Sequence, residues 1–265
     1  MEAGAGSIAH VVAVASGKGG VGKSTISLNL AIALSEQGAL VGLLDADVYG
    51  PDIPLMLNIT RSVPLKHWML ARDRKFGSVR LEPVERHGVK VMSVGFLLAE
   101  HQSLSWPASM VEVVVRQLVG DVQWGQLDVL VVDLPPGTAD VQQTVLRLLP
   151  RASVVLVVTP QDVAHMDAKK LLDMCRSSGR TVIGAVENMS ALRCPHCGES
   201  VQIFPEVPES RSIWAAGVDC LARISLDPAV AASAEAGVPV VLRHPESHAA
   251  LAFRQLAESV RRSFE

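Results

Sequence analysis

The sequence predicts an α/β protein built on a doubly wound, mostly parallel sheet. Three observations carry this expectation. Short and almost uninterrupted apolar runs recur along the 265 residues, as in parallel strands buried on both faces. Stretches with helical spacing separate those runs. No Pro/Gly/Ser-rich linker or break in composition divides the chain, so residues 1–265 are expected to form a single domain.

Each element has its own warrant. Residues 8–16 are a β-branched strand ending in glycines. Residues 24–37 place Ile26, Leu30 and Leu34 at helical intervals, and Gly38 stands where a helix C-cap belongs. Residues 40–44 form a second strand that ends in acids. The least periodic stretch is 58–88. Within it, residues 60–80 hold Arg61, Lys66, Arg72, Arg74, Lys75 and Arg80 against the single acid Asp73, a charge run expected to be a solvated insertion. Strands at 89–94, 128–132, 154–159 and 181–186 continue the alternation, with helices near 111–118, 141–149 and 168–177. Residues 249–264 carry Phe253, Leu256 and Val260 on one side, and their mixed charges suit a packing helix rather than a membrane-surface one.

Composition excludes several functions. Hydrophobic residues make up 49% and charged residues 19% of the chain, which rules out disorder as the main state. A formal net charge of −3 argues against a nucleic-acid binder, and 4% aromatics against a base-stacking platform. No apolar run approaches the roughly 20 residues of a membrane span. The first residues lack the basic and apolar regions of a signal peptide, so a cytoplasmic address is expected.

The chemistry begins at Gly17-Lys18-Gly19-Gly20-Val21-Gly22-Lys23-Ser24-Thr25, between a strand and a helix. This is the phosphate-loop pattern in the context that confirms it. Glycines let successive N–H groups face phosphate oxygens, and the helix N-terminus adds its positive end. Lys23 is placed to neutralise the β- and γ-phosphates of ATP, and Ser24 to ligate Mg²⁺. Lys18 is a second cation that an ordinary phosphate loop does not require. The string resembles the deviant phosphate loop of the ATPases that include MinD, ParA, ArsA and the nitrogenase iron protein. That resemblance implies a sandwich dimer in which Lys18 reaches the partner's phosphates.

Acids end two further strands, Asp45 and Asp47 at one and Asp133 at the other, and ligands of open parallel sheets sit beyond such strand ends. Asp133 fits the role of holding Mg²⁺ through water. Asp45 and Asp47 resemble the family's first switch, one to position the attacking water and the other to support the metal, with a slight preference for Asp45 at the water. Residues 133–140, Asp-Leu-Pro-Pro-Gly-Thr-Ala-Asp, resemble the second switch.

Cys194-Pro195-His196-Cys197 has the spacing that puts two thiolates on one metal. Iron–sulfur clusters and structural zinc ask for four ligands, and the simplest completion is a two-fold dimer that contributes two cysteines from each chain. Cys175 and Cys220 stand alone and are expected to be buried thiols.

Taken in order, these motifs, with Leu44-Asp45-Ala46-Asp47-Val48-Tyr49-Gly50-Pro51, Trp124-Gly125-Gln126-Leu127-Asp128, Thr159-Pro160-Gln161-Asp162-Val163 and Glu187-Asn188-Met189-Ser190, resemble the Mrp/Nbp family of iron–sulfur cluster carrier ATPases. The resemblance implies a P-loop fold of the nitrogenase-iron-protein and MinD type. It also implies a homodimer that binds and slowly hydrolyses ATP, holds a bridging [4Fe-4S] cluster on Cys194 and Cys197, and passes it to apo iron–sulfur proteins. Asn188 matches the adenine-contacting asparagine of that family. The chain departs from the pattern at Ser225, where a proline is usual, at 106–109, and at Phe204-Pro205-Glu206-Val207-Pro208, which replaces a glycine-rich stretch. The competing readings are a MinD/ParA-like positioning ATPase and a zinc-bridged dimeric ATPase.

Overall fold

In the computed structural model, residues 8–59, 81–97, 108–137, 140–194 and 196–265 are described. The basic stretch 60–80, residues 106 and 107, Thr138 and Ala139 of the second switch, and Pro195 lie outside them. Among the described residues, nine strands form one sheet: β1 (Ile8–Ala15), β2 (Val41–Asp45), β3 (Val84–Arg86), β4 (Val89–Ser93), β5 (Leu127–Asp133), β6 (Ser153–Val158), β7 (Val182–Arg193), β8 (Ser200–Val201) and β9 (Cys220–Leu226). Their order is β3-β4-β2-β5-β1-β6-β7-β8, with β9 also pairing β7. All pairings are parallel except β3 with β4 and β7 with β8. The expected α/β architecture is therefore present.

Among the described residues, eight α-helices lie between or after the strands: α1 (Lys23–Glu36), α2 (Ile53–Met56), α3 (Ala108–Gly120), α4 (Asp140–Leu148), α5 (Asp162–Ser177), α6 (Pro228–Glu235), α7 (Val240–Arg243) and α8 (His248–Arg262). Ile26 to Leu34 of α1 are all buried, because α1 lies between the sheet and α8 and so has no solvent face to polarise. α8 is amphipathic, burying Phe253, Leu256 and Val260 as its spacing suggested. The two sides of the sheet are told apart on β7. Asn188 meets the phosphate loop, while its neighbour Glu187 borders a cavity with His165 of α5, and consecutive strand residues point to opposite faces.

Some elements differ from the expectation. β7 continues to Arg193 instead of stopping at 186, so Asn188 lies within the strand; a left-handed residue at Met189 (φ 56) coincides with a register shift that lets the strand go on. α5 begins at Asp162, well before 168. β9 is a strand whose Arg223 and Ser225 interrupt the apolar run, since this strand buries only Ala222 and Ile224. Cys175 is buried, but Cys220, the first residue of β9, is exposed.

Candidate functional site

Lateral register assembles the site. Asp45 pairs with Asp133 across β2 and β5, and with Ser93 across β2 and β4. Asp133 in turn pairs with Val14 of β1, the strand that leads into the phosphate loop. Residues distant in sequence thus meet in one row at the carboxyl ends of the strands.

The loop itself is held by two close approaches. A Cβ on Gly17 would lie 2.5 Å from the backbone carbonyl of Asp167 in α5, so only glycine lets the loop pass there. Gly22 is left-handed (φ +83), and a Cβ on it would meet Asn188 Nδ2 at 2.3 Å. Asn188 is buried and donates from Nδ2 to the Val21 carbonyl at 2.8 Å, tying β7 to the loop. Gly19 and Gly20 are exposed, and Thr25 is half-buried in the first turn of α1, its carbonyl accepting from Asn29.

Lys23 is buried, with Nζ 2.9 Å from Asp133 Oδ1 and 3.5 Å from Asp47 Oδ2. Burial works against its charge, but Asp133, Asp47 and Asp45 together outweigh burial and raise its pKa. Ser24 Oγ donates to Asp133 Oδ2 at 2.7 Å, and Ser27 Oγ donates to Oδ1 at 2.7 Å. Asp45 is fully buried. Its Oδ2 accepts from Ser93 Oγ at 2.8 Å and its Oδ1 from the Asp47 amide at 3.2 Å. Burial, and then Asp133, push its carboxyl well above the usual range. Asp47 Oδ1 accepts from the Tyr49 and Gly50 amides at 3.3 Å, and burial raises its carboxyl too. Asp52, in the same loop, is likewise raised by burial and by Asp133.

Lys18 stands apart from the acids. Its Nζ donates to Gln161 Oε1 at 3.4 Å, and Thr159 Oγ1 donates to the same oxygen at 3.3 Å. Sequence reasoning missed Ser27, Ser93, Gln161 and Asp52. Ser27 alone had a local signal, four residues after Lys23 on the same helix face.

Cys194 and Cys197 sit on the hairpin between β7 and β8. The turn closes through Cys194 N to Glu199 O at 2.8 Å and Gly198 N to Cys194 O at 2.9 Å. Cys194 is half-buried, while Cys197 and His196 are exposed. The Cys194 thiol is lowered by the Cys197 amide, then by the His196 amide and the Cys197 thiol. Among the described residues no group of three or more His, Cys, Asp or Glu side chains could hold a metal, so one chain brings two thiols to the hairpin.

With this geometry in place, the comparisons decide the family. Residues 7–261 match the model of the NUBPL iron-transfer P-loop NTPases. The chain belongs to that family. Within it, a Helicobacter pylori protein named iron-sulfur cluster carrier protein is 42% identical over 96% of this chain and 67% of its own length. An Arabidopsis thaliana protein, named as an iron-sulfur protein required for NADH dehydrogenase, mitochondrial, is 40% identical over 96% of this chain and 78% of its own. Among solved structures, a nucleotide-binding protein from Archaeoglobus fulgidus in complex with ADP superposes with a TM-score of 0.70 at 35% identity, covering 87% of each chain. MinD from Pyrococcus horikoshii, complexed with Mg-ADP, has a TM-score of 0.72 at 24% identity over 95% of each chain, and shares the fold. This NUBPL-family chain is thus a nucleotide-binding P-loop NTPase, and no helix among its described residues is long and apolar enough to cross a membrane.

Proposed function

We propose that the chain is an ATP-dependent iron–sulfur cluster carrier that works as a homodimer, each copy a single ATPase unit. The observation that carries this reading is a two-thiol hairpin on the strand that also holds the phosphate loop. β7 contacts the loop through Asn188 and ends at Cys194. Two copies would supply the four thiolates a [4Fe-4S] cargo requires. Its recipients are apo iron–sulfur proteins.

The nucleotide chemistry follows from the row of acids. Lys23 turns from Asp133 and Asp47 to the β- and γ-phosphates of ATP. Ser24 and Asp133 present a hydroxyl and a carboxylate to one point, an all-oxygen donor set that suits Mg²⁺. Held by Ser24 and Asp133, Mg²⁺ would neutralise charge on the phosphates. Asp45 has both oxygens occupied and is fully buried, so we assign the attacking water to Asp47, whose Oδ2 faces Lys23. Water oxygen bonds to the γ-phosphorus as the bond to the β–γ bridging oxygen breaks, giving ADP and phosphate. Lys18 of each copy stabilises that charge on the other's nucleotide, and hydrolysis is slow until the dimer closes. Nothing in this scheme needs a membrane or a nucleic acid, and the cytoplasm is its proposed address.

Transfer tests the reading. Anaerobically reconstituted protein is mixed with an apo [4Fe-4S] enzyme, with and without ATP. Recovery of acceptor activity at the expense of the donor's visible absorbance is expected. A colourless, zinc-loaded protein would overturn it.

A further inference from the structure

The segment between β8 and β9 walls two adjoining cavities. One, of about 460 Å³, reaches from Ser190 and Ser200, on the two arms of the cysteine hairpin, to His165, Phe204 and Trp214. The other, of about 620 Å³, is bordered by Glu206, Val207, Pro208, Glu209 and Trp214. Glu206, Val207, Ser212 and Trp214 line both, so they make one groove leading away from the cysteines.

Three features give the groove a chemistry. Trp214 and Phe204 offer an aromatic wall. Glu206 and Glu209 are exposed carboxylates with no ion pair or side-chain hydrogen bond among the described residues, whereas the nearby cations are engaged: Arg211 by Asp162, Arg223 by Glu187, and Lys169 on the Ser210 carbonyl. His165 is 1% exposed, and its Nδ1 accepts from the Ile213 amide at 3.1 Å. The ring proton therefore sits on Nε2, which is buried without a partner. Burial lowers the His165 pKa and keeps the ring neutral.

We propose that this groove docks the recipient protein through an extended segment that is both basic and apolar. An aromatic or aliphatic side chain packs on Trp214 and Phe204, and a Lys or Arg lies between Glu206 and Glu209. Continuity with the hairpin would bring that recipient beside Cys194 and Cys197. This last step rests on the carrier reading.

The test is selection from a random peptide library on the immobilised full-length protein. Enriched sequences should join Lys or Arg to a large apolar residue. A synthetic consensus peptide should bind about tenfold or more weakly to the Glu206→Lys/Glu209→Lys variant, and weakly to Val207→Asp, with both variants retaining wild-type iron content after reconstitution. No enrichment, an acidic consensus, or equal binding to all three proteins would overturn the proposal. So would loss of self-association in the charge-reversed variant, which would assign the groove to a second copy of the chain. The carrier reading fails separately, by absence of a cluster in a protein that still binds the peptide.

Discussion

Asp133 is the register partner of Asp45 across the β2–β5 ladder, so two buried carboxylates stand side by side beneath the phosphate loop. Such a pair repels unless a cation sits with it. Lys23, 2.9 Å from Asp133, is that cation. One residue therefore serves the folded state before it serves the nucleotide.

Lys23→Ala should accordingly lose ATP binding and also weaken the fold, by about 3–5 kcal/mol, because Asp133 is left buried and unpaired. The sign of the pH dependence can be worked out. Lys23 has a pKa raised above 10.5, so its stabilisation is complete at neutral pH and is lost only as pH rises through the raised value. Asp45 and Asp47 are raised carboxylates that Lys23 helps hold down; without it they go higher still and oppose folding once ionised. The deficit should be smallest in acid, where these carboxylates are protonated, and should grow as pH rises through their raised values. Urea denaturation as a function of pH, beside ATP calorimetry, checks it.

Lys18 contacts Gln161 and none of the acids. Lys18→Ala should keep ATP affinity close to wild type while hydrolysis falls about 10³-fold or more, as when a trans-acting arginine finger is removed. Steady-state phosphate release compared with calorimetric affinity separates the two effects. Equal losses in both would contradict a trans role.

Gly22 combines a left-handed backbone with a close approach to Asn188. Gly22→Ala should destabilise through both. In the Asn188→Ala background the collision disappears and only the left-handed strain persists, about 1–2 kcal/mol. Denaturation midpoints of the four proteins in that cycle give the coupling, and strict additivity would refute the contact.

The cysteines should differ in reactivity. Burial pushes the Cys175 thiol up to about 11, whereas the hairpin amides lower Cys194. Cys220 is exposed, yet its thiol is raised by partial burial. In cluster-free protein, iodoacetamide at mild alkaline pH should label Cys194 first and Cys175 last, as followed by peptide mass spectrometry.

Much of this was legible before any coordinates. The phosphate loop, the acids at strand ends and the cysteine pair are local strings whose residue types carry their chemistry, and the continuous apolar strands announced a parallel sheet. What stayed hidden depends on lateral order. Ser93 matters only because β4 lies beside β2, and Gln161 only because the turn before α5 comes against Lys18. β9 escaped because it buries just two of its side chains. Cys220, expected to be buried, is exposed.

The central claim is that two chains share one cluster through Cys194 and Cys197. The direct measurement is iron and sulfide content, per chain, of the anaerobically reconstituted protein at its mass in solution. About four iron and four sulfide per two chains are expected, on a dimer, with loss of both in Cys194→Ser and Cys197→Ser and retention in Cys175→Ser and Cys220→Ser. Four iron on each single chain, or a full complement after Cys194→Ser, would contradict it.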